Sequence, residues 1–232
     1  MRCRSVRSVV VTVLPVIAID GPSGVGKSTL ARAVAARLGL TQIDTGALYR
    51  AATRAVLGAG IDPTDTAAVA QLIGQVQFSY EPDLLLDGAD PGDLRAPEVN
   101  AAVSYVAAVP SVRERLVEVM RRRAVELGGT VMEGRDIGTV VFPDAIVKVY
   151  LEADDDVRVQ RRLADEHQAG RRHLDSHAVR SGLGERDRID STREVAPLSV
   201  PSDALRLDST TASVDDLAER VVAAFRDAAE GS

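Results

Sequence analysis

Residues 21–29 read GPSGVGKST and fill the pattern G-x-x-x-x-G-K-[ST] without a gap. No other stretch limits the fold as tightly. A loop of this kind needs a strand to deliver it and a helix to receive it, and both are written beside it. VIAID (16–20) is a short apolar run ending in Asp, the pattern of a buried strand. STLARAVAARL (28–38) is rich in helix formers, and Gly39 supplies a stop. The glycines let successive N–H groups point inward at phosphate oxygens, and the helix dipole adds to the pull. Gly21, Pro22, Ser23, Gly24, Val25, Gly26, Lys27, Ser28 and Thr29 are therefore expected to hold a nucleoside triphosphate. Lys27 reaches the outer phosphates as a compact cation, and the Ser28 hydroxyl suits Mg²⁺. Of 28 basic residues only Lys27 and Lys148 are lysines, so Lys27 stands out against an arginine background.

Strand and helix continue to alternate. LTQID (40–44), TVME (130–133), AIVKVYLE (145–152) and DALRLDS (203–209) read as further strands. TGALYRAATRAVLGAG, an Arg-rich segment over 111–127 and the tail 213–229 read as helices. This order predicts a three-layer α/β fold with a five-stranded parallel sheet and helices on both faces. Residues 74–100 break the rhythm. VQFSY and DLLLDGADPGD predict short strands joined by turns, a small antiparallel insert on the main body. A length of 232 residues suits one domain with such an insertion.

Composition removes several classes of function. The net charge is -6, aromatics make up 3% of the chain and Trp is absent, which argues against nucleic-acid binding. Cys3 alone cannot form a disulfide within the chain, and a reducing cytoplasm is expected. Residues 1–13 read as an N-terminal extension. Their arginines precede an apolar run, as in a secretory signal. But that run leads straight into the loop, and no small-residue cleavage site follows. No stretch suggests a membrane span.

The loop names a donor and leaves the acceptor open. No N-K-x-D pattern marks a switch GTPase, and the chain is short for a motor. A small-molecule kinase needs a second pocket, basic if its acceptor is a phosphate. Three stretches offer one: DTGALYR (44–50), EGRDIGT (133–139) and RDRIDSTR (186–193). The first two follow strands, at the sheet edge where ligands bind in open α/β folds. Arg fits phosphate with its planar fork, while Asp, Ser and Thr read hydroxyls and base edges. Each stretch also has a plain reading: Asp44 as an Asx turn or N-cap, Arg135 and Asp136 as a surface pair, RDRIDSTR as a solvated charge run. On a helix Arg186, Asp190 and Arg193 fall at i, i+4 and i+7, one stripe on which Arg186 can pair with Asp190, with Arg188 left to solvent.

IDGPSGVGKST, DTGALYR, GRDIGTVVFPDA, ERDRIDSTREVAPL and LDST, in that order over residues 16–210, resemble the bacterial cytidylate kinases. The resemblance implies phosphorylation of CMP and dCMP by ATP with Mg²⁺, in a monomer built as one kinase domain over 14–232. The monophosphate-binding insert would span about 46–113 and a short lid about 158–177. It implies that Thr45, Ser104, Arg113 and Asp136 contact the base. Arg50, Arg135 and Arg193 would hold the acceptor phosphate, and Arg186 and Asp190 the sugar hydroxyls. A phosphate monoester has its second pKa near 6 and is largely ionised at neutral pH, so no catalytic base is required. Alignment and charge stabilisation by Lys27, Arg135, Arg193 and Mg²⁺ would carry the in-line transfer. Arg158, Arg161 and Arg162 follow a strand at helical spacing, as lid arginines over ATP or as a solvated helix face. The stretch 163–177 follows no family pattern. His167, His173 and His177 lie close together, but only the i, i+4 pair His173/His177 suggests a metal, with no further ligand pattern.

Overall fold

β1 (Val16–Asp20) is buried along its whole length because both its faces are covered. Ile17 and Ile19 turn to one side, where they meet α1 (Lys27–Leu38) and α8 (Val214–Glu230) through Leu30, Val34, Leu217 and Val221. Ala18 turns to the other, towards the apolar faces of α2 (Thr45–Gly58), α4 (Pro97–Ala108) and α5 (Pro110–Glu126). This period-two alternation between two apolar layers is the pattern of an internal parallel strand. Each Ile so buried stabilises the fold by about 1.5–3 kcal/mol. The computed structural model describes residues 14–168, 170 and 175–230. The expected extension 1–13, His173 and part of the expected lid lie outside the described residues.

Five strands form the sheet. They are β1, β2 (Thr41–Asp44), β5 (Thr130–Gly134), β6 (Val147–Glu152) and β7 (Leu205–Asp208), all parallel, in the order β2-β5-β1-β6-β7. The insert adds β3 (Phe78–Tyr80) and β4 (Leu84–Leu86), paired antiparallel with Phe78 opposite Leu86. It also holds two helices that sequence periodicity did not announce. α3 (Thr66–Ile73) starts at an Asp65 cap and has only eight residues. α4 starts with Pro97 in its first turn, where the missing N–H costs nothing. A short π-helix (Ile137–Val141) follows β5. α6 (Asp155–Gln168) and α7 (Ser176–Thr192) pack through Val159, Leu163, Val179 and Leu183, a small cluster of their own.

The register brings acidic side chains to one edge. Asp44 pairs with Glu133, Asp20 with Gly134, and Asp20 with Tyr150, so the carboxyl ends of β2, β5, β1 and β6 converge. This is the edge at which the loop 21–29 leaves β1.

Candidate active site

The glycine loop presses against the sheet. Gly21 has φ 150°, and a Cβ there would collide with the Leu151 carbonyl of β6, so only glycine fits. Lys27 is buried and donates from Nζ to the Pro22 carbonyl at 2.6 Å. Burial, then repulsion from Arg135, lowers its pKa to about 7, against the pull of Glu133, Asp20 and Asp187. Ser28 lies beside Glu133, whose carboxyl is pushed up by burial and by Asp44, against the opposing pull of Lys27 and Ser28. Gln42 Nε2 donates to Glu133 Oε1 at 3.2 Å and fixes its orientation.

Ser23 is tied to three other elements. Its N–H donates to Asp187 Oδ1 of α7 at 3.0 Å, and its carbonyl accepts from Arg158 Nε of α6 at 2.7 Å. Its hydroxyl accepts from Arg135 Nη2 at 2.7 Å. Arg158 also pairs with Asp155 and Asp187 and is buried, which excludes the solvated-face reading for it. Arg161 donates to the Ser209 carbonyl at 2.7 Å and to its hydroxyl at 3.0 Å. Arg162 pairs with Glu166 at 2.6 Å. Of the three expected lid arginines, Arg158 and Arg161 bond the loop at Ser23 and Val25, and Arg162 lines the cavity.

The same cavity, about 750 Å³, continues from the loop into a second, arginine-rich half. Asp136 is buried between Arg113 and Arg193, bonding the first closely and the second at 3.4 Å, so the surface-pair reading of Arg135 and Asp136 fails. Arg135 turns instead to Asp190, Nε to Oδ2 at 2.9 Å, and Ser104 Oγ lies 3.4 Å from Asp190 Oδ1. Burial works to raise the Asp190 carboxyl, but Arg135, Arg193 and Arg186 outweigh it and hold it below its ordinary range. Asp44 caps α2 through the Ala47 N–H at 2.9 Å and also takes Arg50 at 3.0 Å. The plain N-cap reading holds for it, and it also lines the cavity. Thr45 is buried and donates its hydroxyl to the Glu133 carbonyl at 2.7 Å.

Two arginines, Arg135 and Arg193, have partners that helical spacing does not reveal. Arg186 was expected to pair with Asp190 along the helix. It makes no ion pair among the described residues, because Arg135, coming from β5, takes that carboxylate. Burial and then Arg135 lower the Arg186 pKa to about 10, with Arg162 and Arg50 adding to the repulsion. Arg193, expected beside the acceptor phosphate, lies against Asp136 and Asp190 and donates to the Ala196 carbonyl at 2.7 Å. Arg188 pairs with Glu185 in solvent, as its place off the stripe predicts.

Among the described residues, four buried polar atoms of the cavity lining have no hydrogen-bond partner: Tyr49 Oη, Arg50 Nε, Arg113 Nε and Arg186 Nε. Each such group costs about 1–3 kcal/mol when left unpaired, and a polar molecule in the cavity would offset that cost. Arg113 meanwhile stacks over the Tyr49 ring at 5.4 Å.

Sequence reasoning named no role for Asp20, Glu133 or Asp187. Asp20 is fully buried and accepts from the N–H groups of Ile137 and Gly138, each at 2.8 Å. One signal was present: a carboxylate ending an otherwise apolar strand needs a reason to be there. Glu133 and Asp187 sat inside stretches already singled out, masked by the arginines beside them. Among the described residues no three His, Cys, Asp or Glu side chains are grouped to hold a metal, and no helix is long and apolar enough to cross a membrane.

A family model described as Cytidylate kinase matches residues 17–227. A protein named cytidylate kinase from Rhodococcus opacus (strain B4) is 46% identical over 213 residues, 89% of this chain and 93% of that one. Another of that name from Corynebacterium glutamicum is 44% identical over 223 residues, 94% of this chain and 96% of its own. Among solved structures, a gluconokinase from Sinorhizobium meliloti 1021 covers 94% of this chain and 95% of its own with a TM-score of 0.51. At 15% identity that likeness is one of fold alone.

Proposed function

The chain belongs to the cytidylate kinase family; it transfers a phosphoryl group from ATP to CMP or dCMP, and we propose that the two halves of the cavity divide this work between donor and acceptor. Arg135 carries that reading, because it bonds Ser23 of the loop and Asp190 of the acceptor half at once. One guanidinium thus spans the place where two phosphates must meet.

On the donor side the loop N–H groups and Lys27 hold the ATP phosphates. Lys27 gives up its bond to the Pro22 carbonyl and regains full charge against them. The Ser28 hydroxyl and Glu133 carboxylate are adjoining hard oxygen donors. They fit Mg²⁺, which takes one or two protein oxygens and completes its shell with water and phosphate. When bound, Mg²⁺ would neutralise charge on the donor phosphates.

On the acceptor side Arg50, Arg135 and Arg186 surround the monophosphate. Arg186 is better suited to that anion than to sugar hydroxyls alone, since it stands unpaired among like charges. Asp190 takes the sugar hydroxyls. Ser104, Arg113 and Asp136 meet the base, and Arg193 holds Asp136 and Asp190 in position. The Thr45 proton is committed to a carbonyl, so its hydroxyl offers the base only lone pairs. It welcomes the 4-amino group of cytosine and repels the 4-oxo group of uracil. No group needs to act as a base, because the acceptor oxygens are already ionised. α6 and α7, which grip the loop through Arg158, Arg161 and Asp187, act as the lid, and the protein works as a monomer.

An acceptor panel with ATP tests this reading. CMP and dCMP should be phosphorylated in clear preference to UMP, AMP, gluconate and shikimate. Product from a hydroxyl acceptor, with none from CMP, would overturn it.

A further inference from the structure

We propose that Asp20 is a positioning residue for the acceptor: it holds the backbone at Ile137 and Gly138 and thereby aims Arg135 and Asp136 into the cavity. The inference rests on the acceptor reading above. Its basis is geometric. Oδ1 of Asp20 takes the Ile137 N–H and Oδ2 takes the Gly138 N–H, both at 2.8 Å. These are the first two donors of the π-helix, which no residue of that helix can satisfy. A carboxylate 117 positions away in sequence caps them instead.

The other side of the same peptide is fixed as well. The Asp136 carbonyl accepts from the N–H groups of Val140 at 2.9 Å and Val141 at 3.2 Å. Asp136 has φ −145° and ψ 26°, and it is pinned through its carbonyl by the π-helix and through the following N–H by Asp20. Its side chain then has one direction, into Arg113 and Arg193. Arg135, one residue earlier, is carried the other way, to Ser23 and Asp190. There is no slack to absorb a shift. A Cβ on Gly134 would stand 2.7 Å from Ile137 Cδ1 and 2.8 Å from Thr45 Oγ1.

Asp20 also immediately precedes the loop. Residue 20 ends β1 and Gly21 opens the turn, but the Asp20 carboxylate bonds the acceptor side, at Ile137 and Gly138. The charged and titratable groups around it are Asp136 from the β5 side, Lys27 from α1 and Tyr150 from β6. Burial first, and then Asp136, raise its pKa to about 6, against the two backbone bonds and Lys27. Keeping a carboxylate there is costly, and an apolar or amide side chain would be cheaper if packing were its only task.

The test is Asp20→Asn, which leaves one N–H facing an amide NH₂. CMP and UMP kinetics of the unaltered enzyme come first: if it makes no CDP from CMP and ATP, the acceptor reading fails, and not this inference alone. If it does, the variant should show a KM for CMP raised on the order of tenfold to a hundredfold, as misaimed groups do. Its KM for ATP should stay within about twofold, and its preference for CMP over UMP should contract. Unchanged constants, an equal rise for both substrates, or a loss of kcat alone would overturn the proposal. Should the variant fail to fold, the unaltered protein still answers. The amide resonances of Ile137 and Gly138 should titrate together in NMR spectra with a midpoint near 6. Two amides that ignore that pH range would refute the link.

Discussion

Lys27 shows how a single residue can be set for its ligand. Buried beside Arg135, it has its pKa lowered to about 7 and rests on the Pro22 carbonyl. At pH 8 it is largely neutral until phosphates arrive and restore its charge. ATP binding at pH 8 should therefore take up close to one proton, seen as a dependence of the binding enthalpy on the ionisation heat of the buffer. Near pH 6 the lysine is already charged, and its own uptake should be lost. Lys27→Met should abolish the uptake at pH 8; a buffer-independent enthalpy of the unaltered protein at pH 8 would contradict the placement. Thr45 gives a second prediction at this scale. Thr45→Val keeps the shape and removes the lone pairs, so the ratio of kcat/KM for CMP over UMP should narrow by about tenfold or more. An unchanged ratio would place base selection elsewhere. Residue identities were legible where a motif carried them, as at Lys27, Ser28 and Thr45. Pairings were less so. Helical spacing says which side chains of one helix can meet, and so it suggested Arg186 with Asp190. It is silent about Arg135, which arrives from another strand and wins.

The strands and the long helices could be read because apolar alternation and flanking glycines announce them. The two helices of the insert could not. α3 is short, and α4 is a run of Ala and Val behind a proline. The π-helix is set by a long-range carboxylate, which no local pattern contains. α6 and α7 are the elements that hold the loop from outside the sheet. Asp187 and Arg158 latch them to the two sides of the Ser23 peptide. Removing the carboxylate in Asp187→Ala should accelerate hydrogen exchange of the Ser23 amide by on the order of tenfold, the worth of one such bond. The amides of Ile17 and Val149 in the sheet should keep their protection. Equal acceleration in sheet and loop would mean that Asp187 is only a global stabiliser.

At the scale of the whole molecule, an acidic chain of net charge -6 lines one cavity with Arg50, Arg113, Arg135, Arg186 and Arg193. The cations of its lining outnumber the carboxylates among them, and the net positive field draws anions to the site. The sheet order explains why this works: β1 lies between β5 and β6, so the donor loop leaves the middle of the sheet and the acceptor arginine leaves its neighbour. The parallel sheet and the small antiparallel insert could both be inferred from element order. The way the two proposed phosphate sites are linked through Ser23 and Arg135 could not, since it depends on a contact 112 positions apart. The central claim is that these sites face each other across that link and pass a phosphoryl group to a phosphate. A single turnover with ATP labelled at the γ-phosphorus tests it directly. With CMP present the label should appear in CDP as fast as ATP disappears; label released instead as inorganic phosphate, with CMP untouched, would contradict the account.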